Sequence, residues 1–268
     1  MARRAAEHVR HLEARGGLVL LELVVPAGLI TAWWVVSAGS KSLYFPPLSG
    51  IVHAFRQQWL FSHFGSDAVP SLLNLAAGYL IATVLGILAG LVLGLAPVLR
   101  DAVSPMVEFL RAIPGVALLP AALLLLGIGP GMKISLIAYG AVWPILLNTV
   151  DGVRSVDPTV LDVARSYRIG RLDRLVRVVL PAASPQIVAG MRTSLSLGVT
   201  IIVFSEMAGT TNGIGYQLLQ AQRSFAVSDM WAGMVLLGLI GYLLNVAFRR
   251  FEHLVLGWHR GMRQISRS

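Results

Sequence analysis

Few residues in this chain have the types and spacing that covalent chemistry needs. There is no cysteine, which removes thiolate nucleophiles, thiolate metal sites and disulfides. His53 and His63 have no ligand partner at metal-site spacing and read as surface histidines. No HExxH, no Gly-x-Ser-x-Gly elbow and no G-x4-G-K-[ST] phosphate loop occurs. What stands out is a run of five arginines three residues apart, Arg165, Arg168, Arg171, Arg174 and Arg177, within the polar stretch 157–181. Such a run can bind anionic headgroups, sense voltage when it spans a membrane, or form a basic surface for a partner.

The elements around that stretch decide among these. Of 268 residues 56% are hydrophobic and 13% charged, against roughly a quarter charged in a soluble domain, so much of the surface faces lipid. Six apolar runs of membrane length are expected, at 17–36, 71–95, 102–126, 132–150, 184–207 and 230–248. The arginines before the first run would suit a cleaved signal, but that run is longer than a signal core, so a retained helix is expected. Trp33 and Trp34 lie at its far end, at interface depth. Residues 37–70 hold Phe45-Pro46-Pro47-Leu48-Ser49 and then an amphipathic piece with Ile51, Phe55 and Trp59 on one face and Ser49 as its cap, which reads as a short helix on the outer surface. Gly86, Gly90 and Gly94, four apart, line one helix face and let another backbone approach closely. Pro114 and Pro120 should kink or break the third span. A tight turn is expected at 96–101, an outer turn at 127–131 and an outer loop at 208–229. Glu108 and Arg111, three apart, can pair on one face. Glu22, Glu108, Arg192 and Glu206 all sit toward span ends, leaving the span centres nearly uncharged.

The net charge of +9 follows this topology and gives no reason to invoke nucleic acid. Six spans put both termini and two connections on one side. That side holds 18 basic residues, while Lys41, Arg56, Lys133 and Arg223 fall on the other. The asymmetry orients the basic stretch, with both termini, toward the cytoplasm. Within it, Asp157 and Pro158 start a helix through a side-chain acceptor and a preset φ. That helix should pass Val163 and Tyr167 and break near Gly170, with a second helix over 172–180 stopping at Pro181. Apolar residues Val160, Leu161, Val163, Ala164 and Tyr167 suggest a face that docks on protein. A voltage sensor is disfavoured because Gly170, Asp173 and Pro181 interrupt the arginines, and a seventh span would put the basic C-terminal tail outside. An independent channel or secondary carrier stays open, although carriers commonly place ionisable groups near the bilayer centre.

Asp162-Val163-Ala164, followed by Val178-Val179-Leu180-Pro181, resembles the E-A-A … G … I-x-L-P signature of permease subunits of binding-protein-dependent ABC importers. Asp162 stands for the usual glutamate, and Arg168 holds the place usually taken by glycine, with Gly170 two residues later. Several further stretches look like the nitrate/sulfonate/taurine branch of that family: Phe45-Pro46-Pro47-Leu48-Ser49, Glu108-Phe109-Leu110-Arg111, Pro114 with Leu119-Pro120, Gly127-Ile128-Gly129, the run from Asn148 to Val153, Ser205-Glu206-Met207 and Gly213-Ile214-Gly215-Tyr216. The resemblance implies an all-α polytopic membrane protein of the type I importer permease fold, with six transmembrane helices and a cytoplasmic coupling helix. The implied organisation is a cytoplasmic tail (1–16), a first span and outer amphipathic segment (17–70), a permease core (71–250) carrying the coupling segment 157–181, and a second tail (251–268). The implied assembly has two permease copies in the lipid of the cytoplasmic membrane, two cytoplasmic ATPase subunits and an outer substrate-binding protein. This subunit would hold no cofactor; ATP and Mg would be bound by the ATPase. For the coupling helix, the resemblance assigns docking to Val163, Ala164 and Tyr167, groove charge contacts to Asp162 and Arg165, the turn to Gly170, and the segment's end to Leu180 and Pro181. The pore would lie between the copies along spans three to five, with Ser135, Asn148, Thr193, Ser194, Ser196 and Thr200 as polar candidates. Its cargo would be a small organic or inorganic anion.

Overall fold

The computed structural model describes residues 24–208 and 210–257. The expected tail 1–16, Glu22, the start of the first span and residues 258–268 lie outside the described residues. All regular structure among the described residues is helical: α1 (Val24–Ala38), α2 (Leu48–Phe55), α3 (Val69–Leu95), α4 (Pro97–Ala112), α5 (Leu119–Leu126), α6 (Pro130–Arg154), α7 (Pro158–Ser166), α8 (Arg171–Met207), α9 (Ile214–Arg223) and α10 (Val227–Val255). Four of these, namely α3 with the turn before it, α6, α8 and α10, are long and apolar enough to cross a membrane. A fifth crossing results if α4 and Gly115–Leu126, bent 79° from each other, count as one broken span. The described part of the first expected span is α1, which alone is shorter than a full crossing.

Helices α3, α6 and α8 form the core, and small residues set their spacing. On α3 the small residues Gly78, Ala82, Gly86, Gly90 and Gly94 recur every four positions. Facing them on α6 are Ile137, Ala141, Ile145, Thr149 and Val153, also four apart. A Cβ on Gly90 would lie 2.5 Å from the Thr149 Cβ and 2.8 Å from the Leu146 carbonyl; one on Gly86 would lie 2.9 Å from the Ile145 Cβ. The close approach read from Gly86, Gly90 and Gly94 is therefore made by α6. Between α6 and α8 the same device recurs: Gly190 sits against Asn148 and the Pro144 carbonyl, and Gly152 against the Ala183 carbonyl. The Ser194 hydroxyl, fully buried, donates to the Ala141 carbonyl across this contact at 2.6 Å. Without water in the bilayer core, dispersion and such bonds hold helices together.

Several local expectations are corrected. Helix α2 begins at Leu48, one residue before Ser49, with Pro47 at its N-cap and no bond from Ser49. The Leu48 N–H is taken instead by Ser37 Oγ at the end of α1 (3.1 Å). Ile51 and Trp59 are buried as expected of one face, and Trp33 packs on Trp231 of α10 at 5.8 Å between ring centroids. The turn expected at 96–101 shrinks to Ala96, because Pro97 supplies a preset φ at the first position of α4. The third span breaks at Ile113 and Pro114, but Pro120 starts α5, where its missing N–H costs nothing. Pro181 does not end a helix. The wide turn Leu175–Val179 precedes it, and α8 runs on to Met207. A longer hydrogen-bond register there accommodates the ring that would otherwise clash one turn back. The outer loop 208–229 contains α9.

Candidate functional site

The basic segment is a helix with both ends fixed. Asp157 caps α7, its Oδ1 accepting the Thr159 N–H at 2.8 Å, and this bond holds its carboxyl below the usual carboxylate range. At the other end, Ile169 N–H reaches the Ala164 carbonyl (3.0 Å) and Arg168 N–H the Arg165 carbonyl (2.9 Å). These two bonds form a Schellman motif. Its left-handed residue is Arg168, with φ 51°. Gly170, assigned the turn, has φ −57° and ψ 154°, an ordinary extended conformation. The turn therefore stays at the place where the family pattern has glycine, and the arginine accepts the strain.

The segment has two faces. Ala164, 3% exposed, turns into this chain. With Leu161 and Leu175 packed on the cluster of Leu91, Val153, Val156, Val179, Ala183 and Ile187, it belongs to the face that seats the segment on the ends of the bundle. Its side chain is therefore not on the free docking face assigned to it. Val160, Val163 (51%) and Tyr167 (79%) form an exposed row beside it. Asp162 and Arg165 are exposed and pair with each other at 2.8 Å. Leu180 packs against the same inner cluster and Pro181 follows it within α8, so both support the segment from its own chain.

The polar pore candidates separate. Asn148 and Thr200 meet in one cavity of about 510 Å³, whose wall also carries Arg111, Trp143, Leu147 and Leu197. Ser135, Thr193, Ser194 and Ser196 do not line it. Ser194 is spent on the helix contact described above, and Thr193 donates to the Ala189 carbonyl of its own helix (3.2 Å). Arg111 does pair with Glu108, its Nε donating at 2.8 Å. It does not sit at a span end, however. The break after α4 places it beside residues from the middle of α6 and the C-terminal third of α8.

A second polar centre was not anticipated. Glu206 (0% exposed) and Lys133 form an ion pair at 3.3 Å, 73 residues apart in sequence. Glu206 Oε1 also accepts from Ser71 Oγ (2.7 Å), and Oε2 accepts the Gly215 N–H (3.1 Å). Lys133 donates further to the backbone carbonyl (3.1 Å) and side-chain oxygen (3.3 Å) of Asn212. Asp67 accepts the Gly213 N–H (2.8 Å), and His63 Nδ1 lies 3.1 Å from its other oxygen. His63 is thus a bonded, half-buried residue rather than a free surface histidine. Gly213 has φ +118°, and a Cβ there would overlap the Glu206 carboxyl. The sequence offered a lone lysine and a lone glutamate at the same ends of two apolar spans, and the stretches Ser205-Glu206-Met207 and Gly213-Ile214-Gly215-Tyr216 noted for their resemblance, but nothing local that joined them. Nothing in this centre has the composition of a metal site, and no cluster of three metal-ligating side chains occurs among the described residues.

A helical core of closely packed spans, a broken third span and a capped basic helix between two long ones define a polytopic transport protein. Residues 82–256 match the family of binding-protein-dependent transport system inner membrane components, and the chain belongs to that family. It is an ABC importer permease of the nitrate/sulfonate/taurine branch, a multi-pass inner-membrane protein. It is 29% identical to the taurine transport system permease protein of Escherichia coli over 94% of this chain and 95% of that one. It is 33% identical to the bicarbonate transport system permease protein of Synechococcus elongatus, covering 85% and 86%. The fold resembles that of the MetNI methionine ABC transporter in an inward-facing conformation, with TM-score 0.61 and 22% identity over 70% of this chain and 94% of that one.

Proposed function

We propose that this chain forms the solute path of an ATP-driven importer for a small organic or inorganic anion, and that the segment 157–181 receives the driving force. Two copies would enclose the path. Two cytoplasmic ATPase subunits, which bind the ATP and Mg, would dock on the α7 segments, and a binding protein on the outer side would deliver the solute. Both termini and the tails at 1–16 and 251–268 face the cytoplasm, while the first span and outer segment (17–70) flank the core at 71–250. The chain itself carries no catalytic group for hydrolysis.

One observation supports this reading most directly: α7 is seated by Leu161 and Ala164 yet leaves Val160, Val163 and Tyr167 uncovered. A solvated headgroup-binding loop has no need of an apolar row, whereas a groove in a partner covers one. Because α8 runs from Arg171 to Met207, displacement of α7 would be carried into a long span. The similarity to taurine and bicarbonate permeases supports a cargo that carries an oxyanion group.

The test is uptake of labelled taurine and of labelled bicarbonate into proteoliposomes. Uptake of at least one that requires ATP, the ATPase and the binding protein is expected. Flux through this chain alone would identify an independent channel or carrier instead.

A further inference from the structure

The arginines at the start of α8 have a setting that the docking of α7 does not use. Beside them, at the end of α3, lies a cavity of about 540 Å³ lined by Leu95, Arg171, Leu172, Arg174, Leu175 and Val179. Arg171 and Arg174, three apart, share one side of their helix. Neither guanidinium meets an acceptor among the described residues, whereas Arg165 is tied to Asp162 and Arg177 to Asp173. No carboxylate lines this cavity. The cleft at the neighbouring ends of α4 and α6 differs, because there Arg100 and Arg154 share the wall with Asp101, Glu108 and Asp151. A hydrocarbon track leads into the cavity. Leu85, Leu88, Val92 and Leu95 recur three and four apart along α3, and each is more than half exposed. From Leu85 to Leu95 the helix rises about 15 Å, the hydrocarbon thickness of one leaflet.

We infer that this cavity binds an anionic phospholipid, with the headgroup phosphate at Arg171 and Arg174 and one acyl chain along Leu95, Val92, Leu88 and Leu85. Guanidinium forks match the oxygens of a phosphate diester. A zwitterionic headgroup brings its own cation, and the cavity has no carboxylate to receive it, so a net negative headgroup is favoured. A free phosphate ion would engage the arginines but leave Leu95, Leu172 and the α3 track uncovered. A phospholipid covers both, since head and chain are joined at the spacing that the interface and one leaflet impose. A lipid so placed bridges the end of α3 and the first turns of α8, next to the junction that joins α7 to its long span. The inference needs only a chain that lies in a membrane and does not rest on the transport reading.

The chain has no cysteine, so Leu88→Cys gives it one site for a nitrobenzoxadiazole fluorophore, about 10 Å below Leu95 along the track. The full chain, purified with whatever subunits stay bound, is placed in phosphatidylcholine nanodiscs, and the same preparation lacking Leu88→Cys supplies the background. Phosphatidylglycerol or phosphatidylcholine carrying a nitroxide midway along one chain is then titrated in. Phosphatidylglycerol should reach half-quenching at a concentration at least about fivefold lower. Adding Arg171→Gln and Arg174→Gln should make the two lipids equal, while Arg177→Gln, outside the cavity, should leave the preference in place. Thermal unfolding reports whether each variant is folded. If the double variant is not, Arg174→Gln alone should lower the preference; if Leu88→Cys is not, Val92→Cys replaces it. Equal quenching in the parent chain, or a preference that survives loss of both arginines, would overturn the site. A preference lost with Arg177→Gln alone would overturn it in favour of diffuse surface charge. Loss of the preference on adding inorganic phosphate at matched ionic strength would assign the arginines to a free ion instead. Quenching by neither lipid would mean that protein covers the track, whether a second copy, another subunit or the tail of this chain, and would likewise overturn the inference.

Discussion

At the scale of single residues, Arg168 shows how a fold keeps its turn when the preferred residue is absent. A non-glycine residue in left-handed conformation costs about 1 to 2 kcal/mol, and here both Schellman bonds are still made. Arg168→Gly should therefore stabilise the segment by up to about 1 kcal/mol, reduced by the entropy glycine loses on folding. Gly170→Ala should be nearly silent, since an added Cβ meets only an Asp173 oxygen at 3.8 Å. Hydrogen exchange of residues 164–169 would register both. The Asp157 cap adds a pH dependence of known sign. Its native carboxyl titrates below the ordinary range because the charged form accepts the Thr159 N–H. Its stabilisation is present above the unfolded value and disappears as pH falls through the lowered native value. Asp157→Asn should remove that acid-side loss of α7 protection; unchanged acid sensitivity would mean that another group governs it. Lys133 behaves differently because it is buried. Lys133→Met leaves the Glu206 carboxylate short of its cation and should cost about 3 kcal/mol or more. Lys133→Met with Glu206→Gln should recover much of that loss in thermal unfolding.

At the scale of elements, spacing determines what could be read in advance. The glycines of α3 were legible because a four-residue period is local, and their physical meaning does not depend on which helix answers them. The break at Pro114 and the start at Asp157 and Pro158 were legible for the same reason: each rests on one or two adjacent residues. Pro181 misled because its effect depends on the turn before it, where a wider register at Leu175–Val179 absorbs the ring. Helix α9 was missed because Gln217, Gln220 and Gln222 gave its stretch the look of a polar loop. The Lys133–Glu206 centre and the position of Arg111 were beyond local reading, since each is created by helices that meet in space. The α3–α6 contact yields its own prediction. Gly90→Leu would push into the Leu146 carbonyl and the Thr149 side chain, and overpacking of this kind costs about 1 to 3 kcal/mol or more. Gly238→Leu on α10, where nothing lies within 4 Å of the added Cβ, should leave the melting temperature in detergent unchanged.

At the scale of the whole molecule, the parts divide the labour of a transporter. The α3, α6 and α8 core is held by backbone approach and buried hydroxyls, which makes it stiff. The Glu206 centre ties the ends of three elements and the connection before α9 into one unit. Between these regions lies the Arg111 cavity, and at the opposite end of α6 and α8 from the Glu206 centre sits α7 with one face seated and one face free. Force applied at that free face would have a short, rigid route to the cavity. The most direct measurement places a benzophenone-maleimide probe on Tyr167→Cys, the most exposed residue of that face, in the native membrane, and identifies what the probe captures on illumination. The account predicts a covalent adduct with a nucleotide-hydrolysing subunit, with a yield that changes when ATP is added. Capture of lipid alone, or of a protein on the outer side of the membrane, would contradict it.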